Sequence, residues 1–182
     1  MLDYSAKNLK ILEWPNHILE SRADEITEFN IDLEKLSADM HHTMHESNGI
    51  GLAANQVGIL KRIIVIEIPY SEQDCEENLK KKSWHDKAFT LINPKIISFS
   101  SSKSRFYEGC LSFPKIYDYV ARYDEITVEY QDLSGNKQVV EADGLFSCCL
   151  QHEIDHLDGI VFFKKMSRIK ARRIRSEMQR KG

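Results

Sequence analysis

Residues 145–159 read LFSCCLQHEIDHLDG, and this stretch decides the fold because it predicts a central helix. The predicted helix covers residues 145–157, and Gly159 ends it. Because the helix is apolar on most sides, we expect the rest of the chain to pack around it. His152, Glu153 and His156 nevertheless lie within this apolar sequence, so the predicted central helix carries chemically active side chains.

His152 and His156 are four residues apart, which places both side chains on one face of a helix, one turn apart. Two imidazoles in this arrangement can bind one metal ion, and Glu153 can reach a water molecule beside it. This H-E-x-x-H pattern is typical of metal-dependent hydrolases. The alternative, a helix with two surface histidines, fits the apolar neighbours poorly, since buried polar groups without partners cost free energy.

Two histidines leave the predicted site without the third protein ligand that is usual at catalytic metal sites. One protease pattern would place a third histidine at position 162, but the chain has Phe162 there. Another protease pattern uses a downstream glutamate, and Glu177 is available, although it lies in a basic tail that we expect to be exposed. Cys110 would more often be a core thiol if it stood alone. Its thiolate suits zinc or iron, so Cys110 is the best candidate for the third ligand.

The remaining sequence predicts strands in the middle of the chain and helices at both ends, which indicates the α+β class. A helix is predicted over residues 32–47, with Asp32 able to cap it, and a buried strand over residues 62–68. The charged residues 71–87 predict an exposed loop insertion. Further strands are predicted at 90–93, 95–99, 105–107, 120–122, 125–131 and 138–142, the last two joined by a hairpin turn at 133–136.

The segment GIGLAANQ at residues 49–56 matches G-x-G-x-x-A, a dinucleotide-binding pattern. That pattern should follow a strand and begin a helix, whereas here the predicted helix precedes the segment and the predicted strand follows it. We therefore expect a shaped loop whose backbone lies close to a substrate, with Gln56 presenting its amide group.

Charge and cysteine content give further expectations. The chain has a net charge of −3, but residues 164–182 contain nine basic residues and one acidic residue, a net +8 that leaves −11 for residues 1–163. This basic C-terminal helix is either a solvated face or a binding surface for an anionic partner. The sequence has no export signal and no long apolar run, so we expect a cytoplasmic protein with reduced cysteines and no membrane partner.

Three segments together resemble the peptide deformylase family in order and spacing, namely GIGLAANQ at 49–56, EGCLS at 108–112 and QHEIDH at 151–156. The likeness covers most of the chain and is similar to the bacterial type with a C-terminal helix. It implies an enzyme that removes the N-formyl group from the N-terminal methionine of newly made proteins. It also implies one domain over residues 1–182, in which antiparallel sheets surround a central metal-binding helix.

The resemblance implies a role for individual residues. Cys110, His152 and His156 match the metal ligands, and Glu153 matches the catalytic carboxylate. Gln56 and the backbone N–H of Leu111 match the groups that stabilise the reaction's oxyanion. The implied substrate-binding positions are Ile50, Gly51, Phe106, Gly109, Leu145, Cys148 and Cys149.

The resemblance also implies the metal and the partners. The expected cofactor is one divalent ion, with Fe(II) as the native metal and Zn(II), Ni(II) or Co(II) in a purified sample. The expected partners are formyl-Met nascent peptides and, through the basic helix, the ribosome, and the protein is expected to be a monomer. Three features depart from the family pattern: Asn16-His17 follows Pro15 where many members have Asp-Pro, Tyr117 stands where some have arginine, and the 71–87 insertion is longer than in the shortest members. These departures bear on peptide preference.

Two other functions are weighed against the hydrolysis of formyl groups. A different metal-dependent peptidase would need a third ligand downstream, and Phe162 argues against it. A binding protein with a structural zinc would have no use for a general base, and Glu153 together with Gln56 argues against it.

Overall fold

The computed structural model describes residues 5–69 and 84–179, and these ranges contain seven strands and three α-helices. The helices span Ile31–Glu46 (α1), Gly144–Leu157 (α2) and Arg168–Gln179 (α3). The strands span Gly51–Ala53 (β1), Ile63–Glu67 (β2), Ala88–Phe99 (β3), Lys103–Gly109 (β4), Tyr117–Tyr123 (β5), Glu125–Gln131 (β6) and Lys137–Asp143 (β7).

All the strand pairs are antiparallel and form two sheets. One sheet has the order β1-β2-β3-β6-β7, and β4 pairs with β5 in a separate hairpin. Successive residues of a strand face opposite sides of a sheet. On β2, Ile63 accordingly packs in a buried cluster with Met44 of α1, whereas Ile64 packs in another with Leu150 of α2. The large sheet therefore lies between the two helices, which confirms the predicted α+β class and the central position of α2.

The N-terminal cap of α1 differs from the prediction. The helix begins at Ile31, and Asn30 caps it, because its side-chain oxygen accepts hydrogen bonds from the backbone N–H groups of Asp32 and Leu33 at 3.1 and 3.2 Å. Asp32 lies inside the first turn, so the prediction that Asp32 is the cap was wrong. An N-cap residue has extended backbone dihedrals, and Asn30, with φ −141° and ψ 179°, meets that requirement.

Two predicted segments have more regular structure than expected. The predicted strands at 90–93 and 95–99 are one strand, β3, in which the register shifts between Ile92 and Lys95. This irregularity accommodates Pro94, which has no N–H to donate. The predicted loop at 49–56 contains β1 and the beginning of one 3-10 turn, Ala54–Val57.

The basic C-terminal helix is not exposed on all sides, contrary to the prediction. Ile174 and Met178 of α3 are buried in a cluster with Trp14, Phe113 and Phe163, which anchors one face of the helix to the domain. The opposite face keeps its arginines in solvent.

Residues 71–83 of the predicted insertion lie outside the described residues, as does Cys75. Trp84, near its end, is only partly exposed, and its ring Nε1–H donates to Asp143 Oδ1 at 2.9 Å. Cys110, Cys148 and Cys149 are free thiols, as predicted. Within 5–69 and 84–179, no helix is both long enough and apolar enough to cross a membrane.

Candidate metal centre

A cavity of about 400 Å³ opens between β1, the β4-β5 hairpin and α2. It brings together residues from the three separate segments that the sequence marked as chemically active. The only predicted site residue that does not line it is His156, which lies just behind the wall. The lining includes the predicted residues Ile50, Gly51, Gln56, Phe106, Gly109, Cys110, Leu111, Leu145, Cys148, Cys149, His152 and Glu153.

The three predicted metal ligands converge at one end of this cavity. Cys110 directly follows β4, and the two histidines come from successive turns of α2. His156 Nε2 lies 3.2 Å from Cys110 Sγ and 3.2 Å from His152 Nε2, and one ligand atom of each residue lies within 4.8 Å of the other two. Three protein ligands leave one position of a tetrahedral ion open, as at catalytic zinc sites.

The chemistry of these side chains fits a metal ion. A thiolate and two imidazoles are a donor set that binds zinc or iron. His156 is 1% exposed, and its Nδ1 has no hydrogen-bond partner among the described residues. Nε2 of the same ring faces the other two donors at 3.2 Å, and a cation between them would satisfy all three.

Glu108 is a candidate site residue that was not predicted from the sequence. Its Oε2 accepts a hydrogen bond from His152 Nδ1–H at 2.8 Å, the support that a metal-binding histidine usually receives. Arg122 Nε–H donates to Oε1 at 2.8 Å. Burial alone would raise the pKa of Glu108, but the hydrogen bonds from His152 and Arg122 outweigh it and lower the pKa to about 2. Its position in the sequence offered one signal. Glu108 and Cys110 are two residues apart, and residues two apart on an extended segment point to the same side.

Glu153 lies beside the ligands and is 4% exposed. Its Oε2 is buried and has no hydrogen-bond partner among the described residues, and the residue is part of the cavity lining. Burial raises the pKa of Glu153 to about 7, and a cation bound next to it would lower that pKa. A Cβ atom at position 51 would lie 2.6 Å from Glu153 Oε1, so Gly51 is required for this close approach.

Gln56 is fixed with its amide group toward the ligands. Its Oε1 accepts a hydrogen bond from the backbone N–H of Ala53 at 2.8 Å, which leaves the NH₂ group facing Cys110 Sγ at 3.6 Å and Ser112 Oγ at 3.3 Å. The preceding Asn55 donates its side-chain N–H to the backbone carbonyl of His156. The 3-10 turn is thereby tied to α2.

The rest of the cavity is a largely apolar wall. Cys148 and Cys149 are buried, and burial raises the pKa of both thiols, so they are neutral packing groups rather than ligands. Leu145 is 45% exposed and lies at the rim. Tyr117, which pairs with Gly109, also lines the cavity, and a Cβ at position 109 would clash with its ring at 2.3 Å.

The residue at the rejected third-ligand position has a packing role. Phe162 is 1% exposed, and its ring centroid lies 6.1 Å from that of His152. Its ring therefore packs against one side of the His152 ring.

Comparisons with known proteins agree with this geometry. The family model described as polypeptide deformylase matches residues 8–172. A peptide deformylase from Wolinella succinogenes is 38% identical over 174 residues, covering 95% of this chain and 96% of that protein. Another from Erythrobacter litoralis is 41% identical over 178 residues, covering 88% and 90% respectively. The crystal structure of peptide deformylase from Ehrlichia chaffeensis in complex with actinonin superimposes with a TM-score of 0.85 and 38% identity, over 96% of this chain and 98% of that one.

Proposed function

The chain belongs to the polypeptide deformylase family, so it is a metal-dependent hydrolase that removes the N-formyl group of nascent peptides, and we propose that Cys110, His152 and His156 hold its metal. The observation that carries this assignment is the convergence of the three donor atoms within 4.8 Å at the end of the cavity. When bound, the metal supplies Lewis acidity, which polarises the formyl carbonyl and lowers the pKa of a water molecule.

Glu153 moves the protons in this proposal. Its carboxylate accepts a proton from the attacking water and then delivers it to the leaving amine, so that formate and a free N-terminus result. The residue is placed for this role because it belongs to the cavity lining. Its burial keeps the carboxylate away from competing bulk water.

Gln56 and the backbone N–H of Leu111 stabilise the oxyanion that forms on the formyl oxygen. The hydrogen bond from Ala53 fixes the Gln56 amide group before substrate arrives, so no reorganisation is needed during the reaction. Removing one such donor typically lowers the rate by roughly 100–1,000-fold.

The apolar wall selects the substrate. A methionine side chain is apolar and flexible, and it suits the surface formed by Ile50, Phe106, Leu145, Cys148 and Cys149. The backbone of Gly51 and Gly109 supplies hydrogen bonds to the peptide. Because a formyl carbon carries only a hydrogen, a tight site accepts it and excludes internal peptide bonds by sterics.

We further propose Fe(II) as the native metal, with Zn(II), Ni(II) or Co(II) replacing it in a purified sample. The thiolate of Cys110 and the two imidazoles accept all four ions. Metal analysis of protein purified anaerobically and in air tests this proposal. Iron in neither preparation would contradict it.

The basic face of α3 is a proposed contact with the ribosome, in a monomeric cytoplasmic protein. Arg168, Arg172, Arg173 and Arg175 are exposed on a helix whose other face is anchored, so they present fixed positive charge to RNA phosphates. Replacing Arg172 and Arg173 by glutamate should weaken co-sedimentation with ribosomes and leave peptide hydrolysis unchanged. Equal co-sedimentation would refute the contact.

The reaction is tested by incubating metal-loaded protein anaerobically with formyl-Met-Ala-Ser and measuring formate. We expect formate from this peptide, and no acetate from acetyl-Met-Ala-Ser, because the additional methyl group does not fit beside the ligands. Absence of formate would refute the proposal. Release of acetate at a similar rate would refute the steric basis of selectivity.

A further inference from the structure

A second group of metal-binding side chains lies outside the cavity, on the C-terminal half of α1. His41 and His45 are four residues apart on this helix, and Glu67 ends β2 beside them. One ligand atom from each of the three lies within 4.8 Å of the other two. We propose that His41, His45 and Glu67 bind one divalent transition metal ion, separate from the ion held by Cys110.

His45 and Glu67 lie within hydrogen-bond distance of each other, at a spacing close to that of two ligands of one ion. His45 Nε2 lies 3.1 Å from Glu67 Oε2. Tetrahedral zinc binds nitrogen and oxygen at about 2.0–2.2 Å, which places two of its ligand atoms about 3.4 Å apart. The His45 side chain is 50% exposed and that of Glu67 is 31% exposed, so an ion can enter from solvent.

His41 supplies the observation that points to a ligand. Its Nδ1 is buried and has no hydrogen-bond partner among the described residues, which costs free energy. Its Nε2 lies 3.1 Å from Thr90 Oγ1, and that hydroxyl is 2.7 Å from Ser37 Oγ. An imidazole with a hydroxyl on one nitrogen and a free second nitrogen matches the way metal-binding histidines are oriented.

The donor set fixes the class of metal. Two imidazoles and one carboxylate, with an open fourth position, are a set that zinc proteins use. Imidazole also binds cobalt, nickel and copper, whereas magnesium and calcium prefer oxygen ligands. The site has no thiolate, which distinguishes it chemically from the centre in the cavity.

The bound ion would connect the end of α1 to the end of β2, and the segment that carries Ile50 into the cavity is hydrogen-bonded to both. Gly49 donates its N–H to the carbonyl of Met44 at 2.9 Å, and Glu67 donates its N–H to the carbonyl of Ile50 at 3.0 Å. His45 and Glu67 therefore flank the segment that carries Ile50 into the cavity. An ion bound by both side chains should slow the opening of this segment. The proposal does not depend on which reaction the cavity catalyses.

Cobalt(II) tests the proposal because its absorption spectrum distinguishes the two sites. A thiolate ligand produces a charge-transfer band, whereas imidazole and carboxylate ligands do not. Protein holding one equivalent of cobalt should show that band from Cys110, and a second equivalent should add d–d absorption without increasing the band. We expect His45→Ala and Glu67→Gln to raise the dissociation constant of the second equivalent by more than roughly 10-fold, the smallest loss typical of even a supporting group. Both positions are at the surface, so the variants should fold and keep the first equivalent.

His42→Ala is the matched control, because His42 lies on the same helix but outside the group. It should bind the second equivalent as the wild type does. Uptake of only one equivalent by the wild type would overturn the proposal. So would unchanged titrations of His45→Ala and Glu67→Gln, or a loss in His42→Ala as large as that in His45→Ala. In hydrogen exchange, the second ion should slow the Gly49 and Glu67 amides of the wild type, and an unchanged rate would overturn the proposed bracing.

Discussion

Helices α1 and α2 carry the same histidine spacing in opposite surroundings. On α2, His152 and His156 are buried and face Cys110, at the end of a cavity that opens to solvent. On α1, the partly buried His41 and the exposed His45 lie next to a carboxylate. In both places the third donor comes from the end of a strand that packs beside the helix.

The difference between the two helices shows what spacing alone decides. A separation of four residues puts two imidazoles within reach of one ion on either helix. The residue after the first histidine is Glu153 on α2 but His42 on α1. Only the α2 pair has a carboxylate beside it in a cavity that a substrate can enter. Spacing therefore makes metal binding possible on both helices, and the surroundings determine whether a reaction can follow.

The largest expected effect comes from removing that carboxylate. Glu153→Ala should lower kcat/KM for formyl-Met-Ala-Ser by roughly 100–10,000-fold, the range that general acid–base groups contribute. The variant should keep one equivalent of metal, since the three proposed ligands are unchanged. Steady-state kinetics together with metal analysis measures both quantities.

His42→Ala is the control for this prediction, because position 42 follows the first histidine on α1 as position 153 does on α2. It should leave kcat/KM unchanged. A Glu153→Ala enzyme with full activity and full metal content would remove the proposed distinction between the helices.

An intermediate effect, on metal affinity, is expected from the groups that hydrogen-bond to the histidines. Glu108 supports His152 on α2, and the hydroxyl of Thr90 supports His41 on α1. Glu108→Gln weakens the hydrogen bond to His152 Nδ1–H, and this should lower metal affinity by about 10–100-fold. Competition with a chelator measures the affinity. Thr90→Val, which removes the hydroxyl behind His41, should leave the Cys110 centre's affinity unchanged.

The supporting role of Glu108 would be contradicted if Glu108→Gln, like Thr90→Val, lost the metal of the Cys110 centre at the same chelator concentration as the wild type. A loss in Thr90→Val equal to that in Glu108→Gln would show that the two centres are not independent.

The smallest effect concerns how each helix is anchored. Asn30→Ala removes the side-chain cap of α1 and should lower the free energy of unfolding by about 1 kcal/mol, with unchanged kcat/KM. Urea denaturation measures the loss. Asn30→Asp keeps a capping oxygen and should restore most of the stability. A loss as large in Asn30→Asp as in Asn30→Ala would show that the cap does not act through its oxygen.

The sequence predicted elements well where a local pattern was strong. Strand β6 was predicted with the bounds that the structure has, and the hairpin turn at 133–136 joins it to β7 as expected. The cap of α1 was missed because Asn30 and Asp32 are both capping residues, and the choice depends on the dihedral angles at position 30. The single strand β3 was missed because Pro94 is a break signal that a bulge can accommodate.

The candidate site was predicted from its motifs but not from its supports. The spacing of His152 and His156 and the wrong residue at position 162 pointed to Cys110, and the resemblance supplied the remaining roles. Glu108 lies inside the quoted EGCLS segment, yet nothing local says that its side chain meets His152. That contact joins residues 44 positions apart and depends on how the β4-β5 hairpin packs against α2.

The sequence by itself determined the α+β class, the central helix and the histidine spacing. Helical and strand patterns can be recognised from residues that lie within a few positions of one another along the chain. The tertiary structure alone decided which of two equally spaced histidine pairs lies in a cavity, since burial depends on distant segments packing together. It also decided that Gly51 lies against Glu153 and that Glu67 lies beside His45. These contacts arise from sheet registers and helix packing, which sequence spacing does not encode.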